Sequence, residues 1–229
     1  MSEVLARKVE GIGGGRADKG IVRLTDRDIA SLRWVGEQYA IRIDQLALLL
    51  GRPANAVSDS TARGVVSRWV RGGLAEYRKL IAGEPGFVWL TRRGLRHIDL
   101  PFKPWEPCAT VLNHIYWVNQ VRFSVENRHE GSKWRSEREL RQGAAMQTFD
   151  NGGHIVDAEA MLNEVVVAVE VELTSKSSAR RTSIMAELAK SYATVWYFAP
   201  RDVGALLEKA RAQISNSERV RVYPLERVR

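Results

Sequence analysis

The run Val165–Leu173 (VVVAVEVEL) constrains the fold of this chain more than any other segment. β-Branched residues dominate the run, which predicts a buried β-strand. Because side chains alternate along a strand, Glu170 and Glu172 share one face with Ala168. Two neighbouring carboxylates on a buried strand are unfavourable unless a cation or a shared proton offsets their charge. The run therefore predicts a functional site where this strand ends.

Asp157 precedes this strand, and Lys176 follows it closely. A hairpin between consecutive strands would place Asp157 beside Glu170. Hard divalent cations such as Mg²⁺ (or Mn²⁺) bind carboxylate oxygens and lower the pKa of an attacking water. An aspartate, a strand bearing acidic residues and a nearby lysine are therefore the layout of a divalent-metal phosphodiesterase site.

The residues expected to carry this chemistry are Asp157, Glu170, Glu172 and Lys176. Asp157 and Glu170 would hold the metal, with Glu137 from the preceding segment as a further ligand. Glu172 would complete the coordination or act as the base. Lys176 would offset transition-state charge or orient the nucleophile, provided that the chain turns after the strand.

The alternative is that Glu170 and Glu172 are charges on an edge strand, where they discourage aggregation. Here the carboxylates interrupt an otherwise apolar strand in the middle of an alternating α/β pattern, and Asp157 precedes them at hairpin distance. We therefore expect a metal-type site.

The protein has 229 residues and a formal net charge of +8, which favours a polyanionic partner. Most of the excess lies in the front half, because residues 1–108 hold 18 Lys/Arg against 12 Asp/Glu and residues 109–229 hold 17 against 15. A single cysteine, Cys108, excludes an intrachain disulfide and a cysteine metal cluster, which suits a reducing cytoplasm. No run has the apolar length of a signal peptide or a membrane span, so we expect a cytoplasmic protein without a membrane partner.

The front half predicts a winged helix-turn-helix domain at residues 21–100, after a Gly-rich, charged and flexible arm at residues 1–20. Thr25 and Asp28 predict the cap of a first helix, and a short second helix follows. The third helix, Ser60–Arg71, is the recognition helix by position, with its apolar residues inward. Two strands and a loop of about five residues complete the wing. The predicted limits are Ile43–Leu50 for the second helix and Leu74–Ile81 and Phe87–Leu90 for the strands, and the inward residues of the third helix are Val65, Val66, Trp69 and Val70.

Exposed cations on the third helix suit a groove lined with phosphates and guanine edges, so we expect double-stranded DNA as the partner. The alternative is an ordinary solvated helix face, and winged helices also mediate protein contacts. The residues predicted to contact DNA are Arg63, Ser67, Arg68 and Arg71 of the third helix, Arg78 and Lys79 of the wing, and Arg92 and Arg93 of the short helix that Thr91 caps.

A proline-rich linker at residues 101–109 leads to a second domain at residues 110–229. Helical and strand-like periods alternate along this domain, which predicts an α/β arrangement around a mixed sheet. The predicted elements are a helix at Thr110–His129, a short charged element at Trp134–Arg141, a loop at 142–153, a strand at His154–Ala158, a turn at Met161–Asn163, the strand Val165–Leu173, a helix at Ser178–Tyr192, a strand at Thr194–Phe198, a helix at Arg201–Ile214 and a strand at Val220–Tyr223.

Asp157, the triplet Glu170-Val171-Glu172 and Lys176 resemble a variant of the PD-(D/E)xK nuclease superfamily. Val156 stands where the motif usually has proline. Glu172 stands where the motif has lysine, and Lys176 lies further along the chain. The resemblance implies a nuclease-like domain with an αβββαβ core and carboxylates that bind Mg²⁺.

Residues 22–225 also resemble the replication-relaxation family of actinobacterial plasmids and integrative elements. The similarity rests on the winged helix and on the segments WRSERELR (Glu137), HIVDAEA (Asp157) and VAVEVELTSKS (Glu170, Glu172 and Lys176). The last segment is the most specific of the three. The resemblance implies a role in plasmid or phage-like DNA replication or transfer.

Two functions remain open. In the first, the protein is an endonuclease that nicks or cleaves DNA by metal-dependent hydrolysis. In the second, it is a non-catalytic DNA-binding replication or transcription factor with a degenerate nuclease domain. The displaced Lys176 favours the second, whereas three acidic residues in one place favour the first, because a face that only binds DNA gains by losing negative charge. A homodimer and contacts with other replication or transfer proteins are further expectations.

Overall fold

The structure is a computed structural model that describes residues 8–10, 21–146 and 154–228. It divides into two compact units, the first ending at Ile115 and the second covering Tyr116–Val228. The predicted arm at residues 1–20 lies outside the described residues except for Lys8–Glu10, which form a strand instead of a flexible segment. Their backbone pairs antiparallel with Ile21–Arg23, and this pairing is not visible in a Gly-rich, charged sequence.

The first unit combines short helices with small antiparallel sheets. Its described elements are β1 (Lys8–Glu10), β2 (Ile21–Arg23), α1 (Asp26–Glu37), β3 (Ala40–Arg42), α2 (Ile43–Gly51), α3 (Asp59–Arg71), β4 (Ala75–Arg78), β5 (Phe87–Leu90) and α4 (Arg92–His97). Strand β5 lies between β3 and β4 and is antiparallel to both, so all four of its residues are buried.

Helix α1 begins where the sequence predicts. The Thr25 hydroxyl accepts the Asp28 backbone N–H at 3.2 Å, and the Asp28 carboxylate accepts the Thr25 N–H at 2.9 Å. This reciprocal pair is a capping box, which satisfies backbone donors that the first helical turn leaves unpaired. The predicted cap is confirmed.

Two predictions for this unit are wrong. Val70 of α3 is 42% exposed, because the buried stripe of that helix starts one turn earlier, at Ala62, and ends at Trp69. The β4–β5 loop covers residues 79–86 and is longer than predicted, because Phe87–Leu90 pairs with only the first part of the predicted strand, up to Arg78. Strand β3 escaped the sequence analysis, since three residues are too short to show a period of two.

The remaining elements are α5 (Ala109–Arg128), β6 (Lys133–Ser136), α6 (Glu137–Met146), β7 (Ala158–Leu162), β8 (Val165–Val171), α7 (Ser178–Ser191), β9 (Thr194–Ala199), α8 (Arg201–Arg211), a 3₁₀ turn (Ser217–Arg219) and β10 (Val220–Pro224). The strands form one mixed sheet in the order β10-β9-β8-β7-β6. The pairs β6–β7 and β7–β8 are antiparallel, and the pairs β8–β9 and β9–β10 are parallel. The chain is thus a mixed α/β fold, and none of its described helices has the length and apolarity needed to cross a bilayer.

Helices cover both faces of this mixed sheet. On one face, Ala168 of β8 packs in a core with Met185 of α7 and Leu207 of α8. On the other, Val169 packs with Val121 of α5. Strand β8 is therefore central and buried on both sides, which contradicts the edge-strand alternative for its carboxylates.

Two features of the sheet differ from the sequence prediction. The β7–β8 turn is Asn163-Glu164, and both residues have positive φ (46° and 68°). Met161 therefore lies in the strand instead of the turn. The pairing with β8 begins at Ala158, which is the first residue of β7. Asp157 consequently precedes β7 instead of ending a strand at 154–158. The segment Trp134–Arg141, predicted as a single element, is part of strand β6 and of helix α6. Helix α6 extends to Met146, into the predicted loop at 142–153. Residues 147–153 of that loop lie outside the described residues.

Candidate functional site

Asp157 and Glu170 are neighbours on adjacent parts of the sheet, where β7 begins and β8 nears its end. Ala158 pairs with Val169, so the residues before and after them are also neighbours on adjacent strands. The Asp157 carboxylate accepts the Val171 backbone N–H at 2.7 Å, which ties Asp157 to β8. The hairpin therefore brings together the two residues that the sequence analysis paired.

Glu170 is the most perturbed acid of this site. It is only 4% exposed. Burial, followed by the negative charge of Asp157, raises the pKa of Glu170 to about 7, and the neighbouring His154 and Lys176 oppose that rise. The surroundings of Glu170 thus disfavour its charged form, so either a proton or an added cation would stabilise this carboxyl group.

His154 belongs to this site, although the sequence analysis did not select it. Its Nε2 lies 2.9 Å from the Glu170 carboxylate, and this hydrogen bond is the largest cause that raises the pKa of His154. The side chain is 27% exposed, so it connects the buried carboxylate with solvent. Its proximity to Asp157 in the segment HIVDAEA was the available signal.

Lys176 reaches the acidic residues despite its displaced position in the motif. After β8, the Glu172 N–H still donates to the Phe198 carbonyl at 2.9 Å, and the chain then turns so that Lys176 Nζ donates to the Glu172 carboxylate. Glu172 is 6% exposed. The charge of Lys176 also opposes the rise in the pKa of Glu170, so the lysine acts electrostatically on both carboxylates.

Arg181 on the first turn of α7 holds the loop that carries Lys176. Its Nη1 donates to the Ser175 hydroxyl at 3.1 Å and to the Lys176 carbonyl at 3.0 Å. Arg181 is 8% exposed, and Ser177 caps the same helix by accepting the Arg180 N–H at 3.4 Å. These contacts give a non-strand lysine a defined backbone position, which sequence spacing alone does not reveal.

The carboxylate of Glu137 does not join this group. Its oxygen lies 2.9 Å from Arg141 Nε and 2.5 Å from Nη2, whereas only its backbone N–H contacts Asp157, by donating to that residue's carbonyl at 2.9 Å. The ion pair forms because Glu137 and Arg141 are one turn apart on α6. The structure therefore engages Glu137 elsewhere and leaves it a poor candidate for the metal ligand that the sequence analysis expected.

The remaining acidic pair fits Mg²⁺ by its chemistry. In the part of the chain that the structure describes, no group of three or more His, Cys, Asp or Glu is arranged to hold a metal ion. Mg²⁺, however, takes one or two carboxylates and completes its shell with water and substrate oxygens. Asp157 and Glu170 supply such a pair, and a bound cation would offset both the burial of the Glu170 carboxylate and the charge of Asp157 beside it.

The residues predicted to contact DNA all lie in the first unit and are mostly solvent-accessible. Arg68 is one of two half-buried residues in this set, and its Nη2 lies 2.7 Å from the Asp28 carboxylate, which is fully buried. Trp69 Nε1 donates to the same oxygen at 2.9 Å. Burial alone would raise the pKa of Asp28, but the hydrogen bonds of Thr25 and Trp69 and the charge of Arg68 lower it below its ordinary value. The exposed residues of the predicted set are Arg63, Ser67, Arg71, Arg78, Lys79 and Arg92, and the half-buried ones are Arg68 and Arg93.

Two of the exposed cations touch the strand that follows α3. Arg63 donates to the Tyr77 hydroxyl at 3.2 Å, and Arg78 pairs with Glu76 at 3.2 Å. The guanidinium of Arg78 also lies 5.8 Å from the centre of the Trp89 ring. Because these contacts are exposed and weak, they leave the cations able to exchange them for phosphates.

Comparisons with known proteins provide no family for this chain. No family model matches it, and no curated protein matches it. A solved structure titled "PigF with SAH" aligns with 86% of this chain at 13% sequence identity, with a TM-score of 0.21. This chain covers 61% of that protein, which is less than two thirds of its length. A likeness of this size carries no argument about fold or function.

Proposed function

We propose that this protein binds double-stranded DNA and nicks or cleaves it by metal-dependent phosphodiester hydrolysis, during replication or transfer of a plasmid, phage or integrative element. One observation carries the proposal: Glu170 is buried on the central strand β8, and Asp157, which immediately precedes β7, is hydrogen bonded to the next residue of that strand. Lys176 reaches back to the same group through Glu172. Buried acids with a lysine beside them suit phosphoryl chemistry, in which charge develops on the scissile group.

The order of elements in the second unit supports a nuclease-like domain. Helix α5, strands β6, β7 and β8, helix α7 and strand β9 follow one another, with α6 inserted after β6. This order agrees with the αβββαβ core that the resemblance to the PD-(D/E)xK superfamily implies. The positions of Asp157 before β7 and Glu170 on β8 agree with the two acidic positions of that motif.

Each residue then has a chemical task that its surroundings support. Asp157 and Glu170 would hold Mg²⁺ or Mn²⁺, which when bound makes water a stronger nucleophile and stabilises charge on the phosphate. Glu172 would orient Lys176, whose ammonium would offset charge on the scissile phosphodiester. The hydrogen bond between His154 and Glu170, at 2.9 Å, would orient the Glu170 carboxylate.

The first unit supports the DNA-binding part of the proposal. Its order α1, β3, α2, α3, β4, β5 agrees with that of a winged helix, in which α3 would be the recognition helix. The exposed face of α3 carries Arg63, Ser67 and Arg71. Arg68 supports the fold through Asp28, so we assign it a structural task in place of the DNA contact expected from the sequence.

Cleavage of supercoiled plasmid DNA that carries a candidate origin tests the proposal, with Mg²⁺ or Mn²⁺ present and with EDTA as the blank. We expect wild-type protein to nick or linearise the plasmid, and Asp157→Asn and Glu170→Gln to lose that activity while they keep DNA binding in gel shifts. Glu159→Gln is the matched control, because Glu159 lies on the same sheet but is bound to Arg135 and Tyr192. Cleavage that survives in Asp157→Asn would refute the assigned site.

A second candidate function is a non-catalytic replication or transcription factor with a degenerate nuclease domain. It is favoured by the fact that two carboxylates already have basic partners within the chain, Glu170 with His154 and Glu172 with Lys176. The plasmid assay separates the two functions. DNA binding by wild type without cleavage at any Mg²⁺ or Mn²⁺ concentration would support the second.

A further inference from the structure

Tyr197 on β9 is buried against the acidic group without a hydrogen-bond partner. It pairs in register with Glu170 on the neighbouring parallel strand, so the two side chains lie side by side on one face of the sheet. The residue is 2% exposed, and its ring belongs to the core that includes Met185 and Leu188 of α7. Among the described residues, nothing bonds to the Tyr197 hydroxyl.

A buried hydroxyl without a partner is unusual, because it loses its hydrogen bonds to water and gains none in return. Phenylalanine would fill the same space without that cost. The Tyr197 side chain nevertheless lies beside Glu170, on the same face of the sheet. A neutral hydroxyl retained in such a place points to a ligand that completes its hydrogen bonding.

We propose that Tyr197 is a ligand-contacting residue of this site, whose hydroxyl accepts a hydrogen bond from the hydration shell of a divalent cation held by Asp157 and Glu170. The inference rests on the metal binding included in the proposed function. Mg²⁺ and Mn²⁺ suit it because Mg²⁺ keeps several waters when it binds only one or two carboxylates, and those waters need acceptors around them. Partners of this kind orient the bound group and strengthen its binding.

Tyr197→Phe has a signature that a merely structural residue would not give. The substitution removes no hydrogen bond from the described structure, so the metal-free melting temperature should stay the same or rise. Affinity for Mn²⁺ or Mg²⁺ should fall by about 10-fold, the lower end of the effect of such partners on metal binding. Stability and ligand affinity thus change independently or in opposite directions.

Tyr192→Phe provides the matched control on the same face of the sheet. The Tyr192 hydroxyl donates to Glu159 at 2.8 Å, so its loss removes a hydrogen bond that the fold contains. We expect this variant to melt at a lower temperature and to bind Mn²⁺ as wild type does. Together the two variants separate a hydroxyl used by the fold from one used by the ligand.

The experiment measures thermal unfolding of the full chain in EDTA and over a titration with Mn²⁺ and then Mg²⁺, with plasmid cleavage followed in the same preparations. A weaker cation response in Tyr197→Phe with an undiminished metal-free melting temperature supports the inference, even if wild type does not cleave, in which case only the catalytic part of the proposed function fails. Equal cation affinity in wild type and Tyr197→Phe overturns the inference. A metal-free melting temperature of Tyr197→Phe that is as low as that of Tyr192→Phe also overturns the inference. If the melting temperature of wild type responds to neither cation, both the inference and the metal site are overturned.

Discussion

Replacing Glu170 by glutamine should stabilise the metal-free protein, although the same change should abolish cleavage. Burial and the adjacent Asp157 raise the pKa of Glu170 from its ordinary value of 4.5 to about 7. The unfolded chain therefore releases this proton at a lower pH than the folded chain does. A carboxyl group with a raised folded-state pKa contributes most to the free energy of unfolding below pH 4.5. It loses that contribution as the pH rises through about 7.

The expected size follows from that pKa interval. A pKa raised from 4.5 to about 7 means that wild type loses about 3 kcal/mol of unfolding free energy as the pH rises from below 4.5 to above 7. Glutamine is neutral throughout, so Glu170→Gln avoids this loss. We expect the variant to exceed wild type by about 3 kcal/mol at pH 8 and to match it near pH 4.

Urea unfolding in EDTA, at pH 4 and at pH 8, measures the difference. The control is Glu159→Gln, which replaces by an NH₂ group one of the two carboxylate oxygens that accept from Arg135 and Tyr192, and should destabilise the protein by about 1 kcal/mol at pH 8. The reasoning is refuted if Glu170→Gln is less stable than wild type at pH 8, or if the difference between them does not change with pH. Either result would mean that the Glu170 charge is better compensated than its burial indicates.

Three further predictions concern the support of the site and the DNA-binding face. Arg181→Met should lower the kcat of cleavage about 10-fold with little change in DNA affinity, because it frees the loop that carries Lys176, and faster hydrogen exchange of residues 174–177 should accompany the loss; unchanged exchange there would contradict the role. Asp28→Asn should destabilise the first unit by about 3 kcal/mol in thermal unfolding, because it leaves Arg68 and Trp69 with a neutral partner in a buried position, and a loss below about 1 kcal/mol would show that the pair is dispensable. Arg71→Ala should weaken binding to all duplexes and reduce the slope of log affinity against log salt by about 1, as measured by fluorescence anisotropy, whereas an unchanged slope would remove it from the phosphate contacts.

The sequence determined the parts of the fold that depend on local pattern. Capping at Thr25, the apolar periods of the helices and the β-branched run before Glu170 each predict an element that the structure contains. The alternation along β8 also predicted correctly that Glu170 lies on the face opposite Val169 and Val171. Local patterns suffice here because helix caps and side-chain alternation depend on neighbours only a few residues away.

Two further local signals in the sequence mark boundaries that the predictions above place elsewhere. Ser136 and Glu139 form a capping box at the start of α6, with the Ser136 N–H donating to Glu139 at 2.9 Å and the Glu139 N–H donating to Ser136 at 3.3 Å. That pattern would have separated β6 from α6 within WRSERELR. Likewise, the dipeptide Asn163-Glu164 would have placed the β7–β8 turn, because asparagine tolerates positive φ.

Tertiary structure alone decided which side chains surround the carboxylates. His154, Tyr197 and Arg181 come from three different parts of the chain, and pairing of β7, β8 and β9 brings the first two to Glu170. The sequence also did not determine whether a given arginine faces solvent or a buried partner. Arg68 is an example, because it pairs with the buried Asp28. Residue types and spacing therefore determined that an acidic site exists on β8. The charge balance of that site depends on distances between segments that are far apart in sequence, because burial and through-space interactions set each pKa and each ion pair.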